Sequence, residues 1–204
     1  MYPDTTALIL VDLQVDFMPT GMLPVRAGDE VIPLANRWMP QYATVVATQD
    51  WHPANHGSFA ANHPWRKPGQ LIDLHGLPQV LWPIHCVQDT WGSELVPDLR
   101  TAGIDRVFRK GTDPEIDSYS GFFDNGHRKA TGLGEWLRAE GIDEIHVMGL
   151  ALDYCVKFTV LDGLREGFRV TLLQAGTRPV ELQAGDGERA VEAMRDAGAN
   201  ILPS

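Results

Sequence analysis

Cysteine is scarce: the 204 residues hold two, Cys86 and Cys155. That excludes a disulfide-stapled scaffold, which is short and cysteine-dense. Long apolar runs are also missing. The clean run nearest the start, Ala7 to Val11, falls far short of the ~20 residues a membrane span requires. No basic, then apolar, then small-residue leader opens the chain, so a cytoplasmic protein with free thiols is expected. Positive charge is short as well, 17 Lys and Arg against 27 Asp and Glu, for a net charge of −10. A chain this acidic is repelled by phosphate backbones and anionic lipid, so neither nucleic acid nor membrane is expected as a partner. Linkers, internal repeats and low-complexity tracts are absent too. The length suits one domain over residues 1–204 with a full hydrophobic core. At 44% hydrophobic and 22% charged residues, the composition is that of a folded globular protein.

What is present alternates short β-rich runs with amphipathic helices. Strands are predicted at 7–11, 43–48, 106–109, 144–149, 169–173 and 200–202. Helices are predicted at 31–42 (Pro40 ending it early), 94–102, 133–140 (Thr131 as cap), 153–166 and 187–197. Two stretches, 49–92 and 111–128, lack periodicity; loops that long are uncommon unless functional. The alternation implies an α/β fold of βαβ units, a three-layer α/β/α sandwich around a six-stranded, mainly parallel, Rossmann-like sheet.

Ligands of such sheets bind outside the carboxyl ends of the strands. Asp12 follows the first strand, Asp50-Trp-His52 the second, Lys110 the third, and Asp153-Tyr-Cys155 opens the helix after the fourth. A thiol in the first turn of a helix is favoured as thiolate by the free N–H groups there. With Asp12 to take its proton and Lys110 to steady anions, Cys155 is a candidate nucleophile. Taken alone, Cys155 reads equally well as a small buried hydrophobe, and Lys110 as a solvated charge. Asp50, His52 and His85 form a plausible three-ligand set for a divalent ion. His56 and His63 lie in the same loop and can each replace one of the three. His75, His127 and His146 read as structural or surface residues. Cys86 is a rival nucleophile or metal ligand, but no helix start follows it, and a packing role is preferred.

Six motifs occur in order: Asp12-x-Gln-x-Asp-Phe17, Thr48-Gln-Asp-Trp-His-Pro53, Trp82-Pro-x-His-Cys86, Lys110-Gly111, Asp117-Ser-Tyr-Ser120 and Asp153-Tyr-Cys155. Together they resemble the nicotinamidases, the pyrazinamidase branch of the isochorismatase-like cysteine hydrolases, from Asp12 to about Arg178. The resemblance implies a catalytic triad of Asp12, Lys110 and Cys155. It implies a metal site at Asp50, His52 and His85 for one divalent ion, of zinc type, with manganese or iron as alternatives. It also implies Phe17 and Trp82 around an aromatic ring, and a cis Leu150–Ala151 peptide aiming the Ala151 and Cys155 N–H groups into an oxyanion hole. One departure is Leu152, where the family often carries Thr. The implied activity is hydrolysis of nicotinamide to nicotinate and ammonia through a cysteine thioester, in salvage toward NAD, with pyrazinamide as a further substrate. The alternatives are a related hydrolase acting on a carbamoyl, ureido or isochorismate substrate, and a metal-stabilised binding protein without turnover. A homo-oligomer is left open.

Overall fold

All six residues of β1, Thr6–Val11, are buried. A strand with no polar face has both faces covered, which places β1 inside a sheet. The first helix, α1 (Val31–Trp38), buries Val31, Ile32 and Ala35. It stops short of the predicted Tyr42, because Met39–Gln41 tightens into a 3₁₀ turn around Pro40. β2 (Thr44–Asp50) is buried from Val45 onward. A hairpin, β3 (Leu71–Leu74) and β4 (Leu77–Val80), then lies apart from the main sheet. The chain continues through β5 (Arg106–Lys110), α2 (Leu133–Ala139), β6 (Glu144–Leu150), α3 (Lys157–Arg165), β7 (Arg169–Arg178), α4 (Asp186–Asp196) and β8 (Asn200–Leu202). This is a computed structural model describing residues 1–203; Ser204 lies outside the described residues.

The sheet order is β5-β2-β1-β6-β7-β8, and every pairing in it is parallel. Side chains of β1 alternate between two cores. Ala7, Ile9 and Val11 pack with α2, α3 and α4 residues such as Leu137, Val160 and Met194. Leu8 and Leu10 pack with Val31, Ile32 and Ala35 of α1 on the other face. The expected three-layer α/β/α sandwich results, with the carboxyl ends of β1, β2, β5 and β6 on one rim.

Several expectations need correction. Residues 94–102 form no α-helix: the Val15 N–H donates to Glu94 and the Val96 N–H to Leu13, so this segment runs beside 13–15 as extended chain. Pro97, which has no N–H to give a helix, is consistent with that. The long loop 49–92 contains the β3–β4 hairpin, closed by His75 and Gly76, both at positive φ. Such two-residue turns match the twist of paired strands; His-Gly is a poor signal for one, which hid it. Finally, the helix predicted from Asp153 starts as a π-helical turn, Leu152–Val156, and becomes α-helical only at Lys157. Helix α2 is capped at Gly132, not at Thr131, which from one residue ahead takes the Leu133 N–H on its hydroxyl at 3.2 Å.

Candidate active site

Asp12 leaves β1 with φ +48, a turn that swings its carboxylate across the rim. The Thr48 hydroxyl at the end of β2 donates to Asp12 Oδ1 at 2.6 Å. Lys110, last residue of β5, is buried with its ammonium 2.9 Å from Asp12 Oδ2 and 2.5 Å from Asp50 Oδ1. It also donates to the Ser118 carbonyl at 3.0 Å and sits 3.4 Å from Cys155 Sγ. Gln14 fixes the spacing of β1 and β2 here: its amide donates to the Asp50 carbonyl and accepts the Asp50 N–H, both at 2.8 Å. Asp12, Lys110 and Cys155 thus meet at one point.

The cis Leu150–Ala151 peptide precedes the π-helical turn. The Ala151 carbonyl accepts the Tyr154 and Val156 N–H groups, each at 3.1 Å. Single π turns of this kind recur at functional sites, and this one turns Cys155 into the cleft. Burial pushes the Cys155 thiol well above its ordinary value; Lys110 opposes this, and Asp12 and Asp50 add to it. Burial thus works against the thiolate that a helix start favours, and Lys110 works for it. Burial also raises the Asp12 carboxyl, against Lys110, with Asp50 reinforcing the rise. A carboxylate displaced upward is a better proton acceptor for that thiol.

Asp50 joins the two halves of the site. While Oδ1 accepts from Lys110, Oδ2 lies 3.6 Å from His52 Nε2 and 4.0 Å from His85 Nε2. The Nδ1–H of His52 donates to the Gly111 carbonyl and that of His85 to the Pro83 carbonyl, both at 2.8 Å. A carbonyl only accepts, so both rings carry a proton on Nδ1 and turn Nε2 toward Asp50; against burial, the Asp50 carboxylate raises the His52 pKa, so a metal would take Nε2 in place of a proton. That is how metal-binding imidazoles are oriented, so this donor set fits a divalent ion. Gly111 is needed at its φ of +63, since a Cβ there would run into the His52 ring. Burial pushes the Asp50 carboxyl up, but Lys110 and His52 prevail and hold it far below the carboxylate range.

The His56 ring lies tilted against His52 with centroids 4.3 Å apart, and His52, His56 and Asp117 make a second grouping of ligand atoms. The His56 Nδ1 is engaged with the Ser58 hydroxyl at 2.7 Å. His63 is turned away to the Gly57 carbonyl. His127 and His146 pair with Asp162 and Glu144, remote from the cleft, and His75 sits in the hairpin turn. Cys86 points its sulfur toward the Gly92 carbonyl and its N–H donates to Asp16.

The cleft over Cys155 and the histidines is walled by Phe17, Trp82, Tyr119, Tyr154, Ala151 and Val180. The Phe17 ring lies 5.6 Å from His85, and Trp82 meets Tyr154 edge to face at 4.8 Å. Asp153 holds the far wall by accepting the Val180 and Glu181 N–H groups at 2.8 and 2.9 Å.

An isochorismatase-domain family model matches residues 6–204. The chain belongs to the isochorismatase family. Within it, the nicotinamidase of Escherichia coli (strain K12) is 52% identical over 202 residues, covering 96% of this chain and 93% of the relative. The solved nicotinamidase/pyrazinamidase of Acinetobacter baumannii superposes with a TM-score of 0.96 at 40% identity, covering 99% and 97% of the two chains. The Pyrococcus horikoshii pyrazinamidase, solved in complex with zinc, gives 0.79 at 38% identity and covers 99% and 100%.

Several residues of this isochorismatase-family site were not singled out from sequence. Thr48 and Gln14 stand inside recognised motifs, and a polar residue at the end of a fully buried strand was an available signal. Tyr119 also lies in a quoted motif. So does Tyr154, inside Asp153-Tyr-Cys155, whereas Val180 carries no local signal, because the fold alone brings it to the cleft.

Proposed function

We propose that this chain, as one domain, is a nicotinamide amidohydrolase, converting nicotinamide and water to nicotinate and ammonia. The observation that carries the reading is the convergence of Asp12, Lys110 and Cys155 on one floor of an aromatic cleft, beside Asp50, His52 and His85. The E. coli relative bears the name of that activity.

Asp12 takes the Cys155 proton as Sγ attacks the amide carbon. Lys110, held by two carboxylates, steadies the developing negative charge. The Ala151 and Cys155 N–H groups receive the tetrahedral oxygen; such donors act where charge develops. Asp12 returns the proton to the amide nitrogen, the C–N bond breaks and ammonia leaves a thioester. Asp12 then deprotonates a water that attacks the thioester carbon, releasing nicotinate and the free thiol. Phe17 and Trp82 flank the pyridine ring. Asp50, His52 and His85 would hold a divalent ion, of zinc type with manganese or iron as alternatives, supplying a Lewis-acid position that orients the ring nitrogen. Pyrazinamide, also a six-membered ring carboxamide, fits the same cleft. The reading places the enzyme in the cytoplasm, in salvage toward NAD.

Ammonia release from nicotinamide, with nicotinate quantified in the same reaction, tests the proposal. Release from ureido or carbamoyl substrates and none from nicotinamide would overturn it.

A further inference from the structure

The β3–β4 hairpin is mostly exposed, yet it buries one polar side chain, Gln79, to 2% exposure. No recognised motif contains this residue. Its amide nitrogen lies 2.7 Å from the Val80 carbonyl, 2.9 Å from Asp117 Oδ2 and 3.0 Å from the Tyr119 hydroxyl. The carbonyl and the carboxylate only accept, so the nitrogen, not the oxygen, must face them. Asp117 is itself buried, and its other oxygen takes the Ser118 N–H at 2.8 Å.

The Tyr119 oxygen meets a second donor. Trp82 Nε1–H, which can only donate, lies 3.1 Å away. A phenol oxygen has two acceptor positions and one proton. The two N–H groups of Gln79 are shared among three acceptors, and neither its amide nitrogen nor Trp82 Nε1 can accept, so the Tyr119 proton is turned away from both. No acceptor for it is found among the described residues, and Tyr119 faces the cleft. Tyr119 is fixed further by Phe158, stacked at 5.4 Å, and by Tyr154 at 5.3 Å.

We infer that Gln79 is a positioning residue: reaching in from the hairpin, it locks Asp117, Tyr119 and Trp82 into one wall and leaves the Tyr119 O–H as a donor to the bound ring or its carboxamide. As a statement about substrate this rests on the nicotinamide reading. Gln79 hydrogen-bonds to neither the triad nor the three candidate metal ligands, so its loss weakens ring binding in ground and transition states alike. Such a loss raises KM and spares kcat.

The test uses the full chain with its metal, in Gln79→Leu, Tyr119→Phe and the double variant. Gln79→Leu should raise KM for nicotinamide about tenfold and leave kcat within about threefold, as expected when a buried polar pair loses one donor. Metal content should stay at the wild-type level. Tyr119→Phe should raise KM comparably, and adding Gln79→Leu to it should raise KM by less than about threefold, the non-additivity of residues acting as one unit. An unchanged KM in Gln79→Leu, multiplying effects in the double variant, or a fall in kcat at constant KM would each overturn the inference. A readout without turnover separates it from the function proposal: the Trp82 indole N–H should exchange with solvent faster in Gln79→Leu than in wild type. Faster exchange in a protein that releases no ammonia from nicotinamide upholds the role of Gln79 and sinks the substrate. Unchanged exchange sinks the role of Gln79.

Discussion

The two ends of the sheet use charge differently. At the carboxyl rim, Lys110 pairs with Asp12 and Asp50, and no side chain in the set is more than 6% exposed. At the amino end, Arg169 pairs with Asp143 and Glu144, with side chains 65%, 57% and 26% exposed. Water screens the outer cluster, and such pairs contribute little. The inner cluster has lost its water, and burying ions costs several kcal/mol per charge unless every partner is in place. A fold keeps buried charges for specificity or chemistry, since apolar residues would pack as well. The contrast teaches that the rim is built against the grain of stability and the amino end along it.

The sharpest break in that comparison is Cys155→Ala, which should abolish ammonia release and leave the fold intact, because no other group in the cleft can form the thioester. Activity kept in Cys155→Ala and lost in Cys86→Ala would move the nucleophile. Next, Asp12→Asn and Lys110→Met should each lower kcat/KM by about 10³–10⁴, non-additively with Cys155 changes. Lys110→Met should also destabilise the protein by about 3–5 kcal/mol, because Asp12 and Asp50 stay buried without their cation; urea unfolding measures this. The pH profile sharpens the point. Asp12 must be ionised to accept a proton, so activity falls as pH drops through its pKa. Burial raises that pKa, which puts the acid limb above the ordinary carboxylate value of about 3.9.

Metal loss is a smaller, reversible effect. Chelation should lower activity and a divalent ion should restore it. Elemental analysis should find the metal lost from His52→Ala and His85→Ala and retained in His75→Ala, His127→Ala and His146→Ala. Full occupancy in His52→Ala and His85→Ala would remove the assignment. The smallest effect is at the other end of the sheet: Arg169→Ala should leave both activity and thermal midpoint at wild-type values, as screened surface pairs do. A marked loss of stability there would erase the comparison.

Much of this was legible in the chain. From Ala7 to Val11, β1 has no polar position, which only a covered central strand tolerates, and the sheet followed from it. Asp12 follows and Asp50 ends a buried strand, and Lys110 ends the edge strand β5, so the parallel strand order brought them to one rim. The hairpin was not legible, because His75-Gly76 is an unusual pair for its turn. Nor was the extended run at 94–96, where backbone partners at 13–15 override a local helical pattern.

The site divides in the same way. Cys155, Asp12, Lys110, Asp50, His52 and His85 were chosen from motifs and strand ends, since catalysis and metal binding demand particular atoms and restrict which residues can stand there. The opposing pulls on the Cys155 proton were not available from its position beside a helix start: burial, Lys110 and two neighbouring carboxylates exert them, and all are properties of the assembled rim. Gln79 is the clearest case of what only tertiary structure decides. Nothing around it in sequence separates it from a surface glutamine. Its partners Asp117 and Tyr119 lie 38 and 40 residues away. Strand and helix patterns report on neighbours within a few residues, and hydrogen bonds across such distances exist only once the chain has closed.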